Sequence, residues 1–249
     1  MAGIHFIGPN VLSYNPPAAG TTWVTEDLYV YADPFTGFDG STITDLSGNG
    51  VTITRGNSIT TDSEGWVLDA TSPSTKYFYF QSPLTSATDF SIEVWFKANT
   101  GTSYNGEPNF VADANFATNY DLRFGMKGAG DSNKAFAQTQ NQEGSNNSPY
   151  LTAGTIIDST WRQYVLTWPQ SGTARYYVNG AEYTTASSVG GTMYQTGTRD
   201  MYCMGPINPS FLWGWSDARG GLVRVYTKQL SDVEVLQNYD ANKADYGLS

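Results

Sequence analysis

The amino-acid chain of 249 residues is long enough to bury a sizeable core, either as one large β domain or as two small ones. With 17 Tyr, 12 Phe, 7 Trp and 26 Gly but only 14% charged residues, its composition is that of many short strands joined by glycine-rich turns. A formal net charge of −10 and a pI near 4.4 set it against phosphate backbones and anionic lipid, so neither nucleic acid nor membrane is expected as a partner.

Met1 to Thr25 mix the breakers Gly8, Pro9, Pro16, Pro17 and Gly20 with Ile4, Phe6, Ile7, Val11, Leu12 and Trp23. A flexible linker would be polar, whereas this segment carries enough apolar surface to seek a partner surface. Residues 1–25 are therefore expected to form either an ordered lead-in strand packed on its own domain or an N-terminal arm whose Ile4, Phe6, Ile7, Val11 and Leu12 dock on another protein or on sister subunits. The segment lacks the basic start and apolar core of a signal peptide, and no stretch reaches the roughly 20 apolar residues of a membrane span, so a protein made in a cytoplasm and kept soluble is expected. His5 is the only histidine; a Ser-His-Asp or Cys-His triad would depend on it, and zinc sites built from Cys and His clusters are excluded by count.

Leu28 to Ala32 alternate as a strand and lead into a turn-rich stretch that ends in Asp45-Leu46-Ser47-Gly48-Asn49-Gly50. Val51–Thr54, Gly65–Ala70 and Lys76–Gln81 read as further strands, the last with Tyr77 and Tyr79 opposite Phe78 and Phe80. Phe90–Lys97 gives the cleanest alternation in the chain. Phe90, Ile92, Val94 and Phe96 form a buried face, while Ser91, Glu93, Trp95 and Lys97 form a solvated face that displays a tryptophan. Asn109–Ala114 and Tyr120–Met126 pair around Asn115 to Asn119. The polar stretch from Gly128 to Thr155 has one plausible strand, Ala135–Thr139, and an Asn-rich loop at Asn141 to Tyr150 of the kind that carries recognition.

Trp161–Trp168 and Ala174–Asn179 are strands separated by Pro169, Ser171 and Gly172, and Asn179-Gly180 suits a type I′ hairpin turn into Ala181–Thr184. On the first of these, Tyr164, Leu166 and Trp168 are expected in the core, and Gln163, Val165 and Thr167 on the opposite face. After a second polar loop, Gly190 to Gly197, the strands Met201–Met204 and Gly221–Tyr226 flank the aromatic loop Phe211-Leu212-Trp213-Gly214-Trp215. Cys203 is the only cysteine, so no internal disulfide forms. One helix closes the chain: Ser231 and Glu234 make a capping box, Leu230 and Val235 a hydrophobic staple, and Val233, Leu236 and Tyr239 or Gln237 the inward face, with a stop at Gly247.

About a dozen short strands at intervals of roughly 8–12 residues, with almost no helix, predict an all-β fold: a two-sheet antiparallel sandwich with one short C-terminal helix, a single domain over residues 26–249. The hexapeptide Asp45 to Gly50, FSIEVWFK at Phe90 to Lys97, WRQYVLTW followed by YYVNG, GGLVRVYTKQLS at Gly220 to Ser231 and the closing helix together resemble the concanavalin A-like, laminin-G-like jelly roll. The ending from Gln237 to Lys243, followed by Tyr246-Gly247, is similar to versions of this domain in virion proteins of tailed phages.

That resemblance implies three function classes. Retaining glucanases on this sandwich use a Glu-x-Asp-x-x-Glu strand, which is missing here: Glu93 stands alone and reads as a solvated surface group, and hydrolysis would need a pair such as Asp113 and Asp121. A carbohydrate-binding module would use exposed aromatic planes and amides, for which Trp95, Asn146, Tyr150, Trp213 and Trp215 are the candidates. No cofactor is required, but laminin-G-like relatives often hold calcium at the loop rim, and Asp113, Asn115 and Asp121 occupy the matching region. The third class, to which the chain is assigned here, is a non-enzymatic virion subunit of capsid-decoration or fibre type. It would be displayed on the virion surface through the arm, with capsid or other virion proteins or sister subunits as partners and adhesion to host-surface glycan as the alternative.

Overall fold

The computed structural model of the chain describes residues 22–56, 59–69, 76–84, 89–99, 104–105, 109–115, 119–126, 135–139, 158–187, 199–205 and 214–249. In chain order the strands are β1 (Leu28–Ala32), β2 (Ile53–Arg55), β3 (Thr60–Asp62), β4 (Gly65–Asp69), β5 (Phe78–Gln81), β6 (Phe90–Ala98), β7 (Tyr104–Asn105) and β8 (Asn109–Asn115). They continue as β9 (Asn119–Met126), β10 (Ala135–Thr139), β11 (Arg162–Trp168), β12 (Thr173–Val178), β13 (Ala181–Ser187), β14 (Asp200–Cys203), β15 (Gly214–Trp215) and β16 (Asp217–Tyr226). Helix α1 (Asp232–Asn242) and a 3₁₀ turn (Lys243–Tyr246) follow. The first sheet runs β13-β12-β11-β6-β16-β4-β3, with β1 also on β16. The second runs β10-β9-β8-β14-β5-β2, and β15 with β7 makes a short ribbon. All the pairings are antiparallel, as expected of a jelly-roll sandwich.

The main core lies between the sheets. Phe90, Ile92, Val94 and Phe96 of β6 meet Phe78, Phe80, Phe110, Leu122, Phe124, Met201 and Cys203 of the second sheet. The period-2 alternation of these strands puts every second side chain there. The tight turns are set as the residues require. Asn179 and Gly180 have φ of 52° and 76°, the left-handed values of the type I′ hairpin. The Asp45 carboxylate accepts backbone N–H bonds from Tyr31 (3.0 Å), Ser47 (2.9 Å) and Val51 (2.9 Å), so the hexapeptide from Asp45 to Gly50 is a clamp that holds β1 to the following chain.

A second core corrects the expected solvated faces. Helix α1, the 3₁₀ turn and a strap of the chain at Trp23 and Val24 lie against the outer face of the first sheet and enclose Trp95, Val165, Tyr177, Leu222, Tyr226, Leu230, Val235 and Tyr246. All nine residues of β6 are therefore buried, and Gln163, Val165 and Thr167 are as buried as Tyr164, Leu166 and Trp168. Alternation reports that a strand has two faces; it does not report that a later helix covers the second. The close approach of the layers demands glycine at Gly221, where a Cβ would stand 2.5 Å from the Tyr246 hydroxyl oxygen and 2.7 Å from Trp95 Cβ. Strand β16 is also longer than expected: Gly220-Gly221, read as a strand boundary, instead lies at an irregularity inside it, between the pairings Gly220–Phe96 and Val223–Val94.

Helix α1 has the expected capping box and staple: Ser231 accepts from the Glu234 backbone, the Glu234 carboxylate takes the Ser231 N–H at 2.8 Å, and Leu230 and Val235 are both buried. Its inward face differs from the expected one. Val235, Asn238, Ala241 and Asn242 point in, while Val233 and Leu236 are 74% and 47% exposed. The inward asparagines have polar partners beneath them, which hydrophobic periodicity cannot detect.

Candidate functional site

Glu93 lies at the centre of the first sheet, and it is fully buried, not solvated as its sequence position suggested. Its carboxylate accepts from Gln163 Nε2 (2.8 Å), Trp95 Nε1 (3.3 Å) and Asn238 Nδ2 (2.9 Å), and lies 3.4 Å from Arg224 Nη1. Arg224, equally buried, donates to Asn242 Oδ1 at 2.9 Å and stacks under Tyr31 and Trp23, with its guanidinium carbon 4.4 and 4.8 Å from their ring centres. Burial alone would lower the guanidinium pKa, but Glu93 and the adjacent tyrosines outweigh it and Arg224 remains cationic. Gln163 also accepts the Gly180 N–H at 3.1 Å, so the network ties the hairpin turn to the central strands. A carboxylate with this many partners, in direct contact with a cation and beneath a helix, has no access to substrate, and its hydrogen-bond and ion-pair partners among the described residues include no second carboxylate. It is a structural group.

The other expected site residues scatter. Trp95 is buried, stacked 4.2 Å from Tyr246 and 5.8 Å from Tyr239, so its displayed position on a strand face is corrected by the helix that covers it. Trp215 fills the main core against Phe96 (4.5 Å) and Phe110 (6.1 Å) and presents no plane to solvent. Asp113 points into the sandwich with Met201 and Leu122 as its strand partners, and its carboxylate accepts from Ser82 Oγ at 2.5 Å. Burial pushes this carboxyl up to about 6, against the bond from Ser82 and the nearby charge of Arg199. An environment that favours the proton is a poor one for calcium, which needs 6–8 exposed oxygen ligands. Asn115 ends β8, and Asp121 falls at the irregularity where the pairing passes from Asp113–Leu122 to Ala114–Tyr120. Among the described residues no three His, Cys, Asp or Glu side chains group as metal ligands. Asn146, Tyr150 and Trp213, and the arm residues Ile4, Phe6, Ile7, Val11 and Leu12, lie outside the described residues.

The aromatic surface that the structure does assemble is on the outer face of the second sheet. Register places Thr54, Tyr79, Tyr202, Ala112, Arg123 and Gln138 in one row across β2, β5, β14, β8, β9 and β10. Tyr79 stacks on Tyr202 with centroids 5.3 Å apart and planes 28° apart, and Tyr77 joins them at 5.8 and 6.2 Å. Tyr202 is enclosed, whereas Tyr77 and Tyr79 are half-buried and show part of their rings. Ala112 leaves only a methyl between this stack and Arg123, whose guanidinium lies 5.0 Å over Phe136. Burial raises the Tyr77 and Tyr202 hydroxyls, which stay protonated as hydrogen-bond donors at neutral pH. The signal for this face was present in Lys76–Gln81, where Tyr77 and Tyr79 oppose Phe78 and Phe80; what was missing was Tyr202, about 120 residues on, which only the β14–β5 pairing brings alongside.

Comparison with known proteins adds to this geometry. A laminin-G-type family model, described as the Concanavalin A-like lectin/glucanases superfamily, matches residues 71–236. No curated protein matches. Among solved structures, the binding domain of Paraclostridial Mosquitocidal Protein 1 is 14% identical with a TM-score of 0.65, over 86% of this chain and 52% of that one. The Botulinum Neurotoxin Type G receptor binding domain is 15% identical, TM-score 0.63, over 86% and 51%. Trypanosoma rangeli sialidase in complex with sialic acid is 13% identical, TM-score 0.63, over 87% and 33%. The chain thus spans about half the length of the two binding domains. At these identities the likeness establishes a shared fold.

Proposed function

The chain belongs to the concanavalin A-like lectin/glucanases superfamily, and from that premise we propose that it is a non-catalytic binding module that grips carbohydrate through the tyrosine face of its second sheet. The observation that carries this reading is the stack of Tyr77, Tyr79 and Tyr202. Sugar rings pack their C–H faces on aromatic planes, and the hydroxyls of the half-buried Tyr77 and Tyr79 supply polar partners at the margin. Two of the solved structures with this fold are named as binding domains, which supports a module of this kind. The buried state of Glu93 argues against glycoside hydrolysis on the first sheet, because helix α1 covers the face on which two carboxylates would have to flank a substrate. Retention of the protein on a panel of insoluble polysaccharides and on a glycan array provides the test. Tyr79→Ala is expected to weaken binding about tenfold, the loss of one stacking plane; binding that survives Tyr77→Ala and Tyr79→Ala together would reject this face.

A second reading, display of the module on a virus particle, is favoured by the way the chain enters the fold. The Val24 N–H donates to Asn238 Oδ1 at 2.8 Å and Gln237 Nε2 donates to the Thr22 carbonyl at 2.6 Å, so residues 22–25 belong to the sandwich and Thr22 lies beside helix α1. The helix that holds them is the same Gln237–Lys243 ending that resembles phage virion domains. A net charge of −10 suits a protein exposed outside a packaged genome. Removal of residues 1–21 is expected to abolish particle attachment or self-association while leaving the melting temperature unchanged, and a truncated protein that still decorates particles would sink this reading.

A further inference from the structure

Between the β11–β12 turn and the start of helix α1 lies a cleft of about 390 Å³, lined by the apolar Pro169 and Leu230 and by Ser171, Thr173, Arg175, Gln229 and Ser231. Its size is at the lower end of small-molecule sites, roughly 300–1,000 Å³, enough for one or two sugar units but not for a long chain. The cleft is on the first sheet's side of the molecule, away from the tyrosine face.

Its polar groups are arranged in a way that selects the ligand. Arg175 is the one cation in the lining, and it is already matched: Nη1 donates to Asp232 Oδ1 at 2.9 Å and lies 3.6 Å from Glu182 Oε2. The Tyr177 hydroxyl, which donates to Asp232 at 2.7 Å, and then Arg175 hold the Asp232 carboxyl below the usual carboxylate range. The charge around the cleft is therefore negative on balance, which disfavours phosphate and acidic sugars. The remaining N–H groups of Arg175 can still donate to a neutral oxygen. Gln229 spends its amide nitrogen on the Thr173 carbonyl at 3.2 Å, which fixes the side chain and leaves the amide oxygen to accept. The Ser231 hydroxyl is occupied with Glu234 in the capping box, so the hydroxyls available to a ligand are those of Ser171 and Thr173. Donors, acceptors and the prolyl ring around a small space match an uncharged polyol.

We infer that this cleft binds a neutral hexose unit at the end of a glycan, a second sugar site separate from the tyrosine face. This inference rests on the glycan-binding reading above and gives it a terminal-residue specificity. The full chain is titrated with the methyl glycosides of glucose, galactose and mannose, with glucuronate and inorganic phosphate as anionic probes, and followed by amide and side-chain NMR. At least one methyl hexoside should give saturable shifts at Thr173, Arg175 and Gln229. Arg175→Ala and Thr173→Val should each weaken that binding about tenfold, the equivalent of one good hydrogen bond, without lowering the melting temperature. If none of the three hexosides shifts these groups while Tyr79-dependent polysaccharide binding persists, the cleft is overturned alone. If both are absent, the glycan-binding reading falls with it. Saturable shifts from phosphate or glucuronate only would make the cleft an anion site and overturn the inference as well.

Discussion

Asp113 shows what one misplaced charge does to this molecule. It sits at the end of the core with a carboxyl pushed up to about 6 by burial, and the same group in an unfolded chain titrates near 3.8. The folded state thus prefers the protonated acid. The stability gained is fully present below the unfolded value and is lost as pH rises from about 4 through about 6, an effect of roughly 3 kcal/mol by the usual linkage. Denaturant midpoints at pH 4.5 and 7.5 should therefore favour the acidic sample, and Asp113→Asn should remove most of that difference by stabilising the neutral-pH protein. An equal pH effect in the variant would show that other groups cause it. At the opposite extreme is Cys203, fully buried with its thiol pushed far up, so it stays an inert core residue. Neither environment could be read from the sequence, because both depend on which strands pair across 80 or more residues: Asp113 and Cys203 lie on neighbouring strands whose partners are set by sheet order.

Helix α1 is the element that determines which surfaces are available for function. Its cap, staple and extent were legible in Ser231, Glu234, Leu230 and Val235, since these act within a few residues of one another. Its orientation was not legible. Hydrophobic periodicity favoured Val233 and Leu236, but the sandwich offers Glu93 and Arg224, and the side chains that can satisfy a buried ion pair are Asn238 and Asn242. The same blindness made Trp95 look displayed and Glu93 look wet. Asn238 bonds at once to Glu93, to the Tyr226 hydroxyl at 2.9 Å and to the Val24 N–H, so it fastens the helix, the central sheet and the strap together. Asn238→Ala is expected to destabilise the fold by about 2–4 kcal/mol, because it leaves buried polar groups without partners. Asn238→Asp should be worse, since it adds a second buried carboxylate beside Glu93. Chemical denaturation of both variants checks the order, and a neutral outcome for either would mean that water replaces the amide.

At the scale of the whole molecule, the strands from Leu28 to Tyr226 were largely legible as a two-sheet sandwich, because turn chemistry and alternation act locally and recur along the chain. The third layer, the helix and strap over the first sheet, was not. Its placement depends on contacts between residues about 200 positions apart, such as Val24 with Asn238 and Thr22 with Gln237. These contacts also give the molecule a direction. The described chain enters beside helix α1 and ends just after it, both on the first sheet's side, while Tyr77 and Tyr79 look out from the second. A surface that holds the protein through Thr22 therefore points the tyrosines away from itself, as a handle points a blade. Orientation during immobilisation should decide activity. Attachment through residues before Thr22 is expected to preserve polysaccharide binding. Attachment through Gln81→Cys, an exposed position on the tyrosine face that thiol reagents reach while Cys203 stays hidden, is expected to abolish it. Equal capture in both orientations would place the working surface elsewhere. A partner surface that contacts Thr22 directly inherits this presentation, because the sandwich itself sets the angle there.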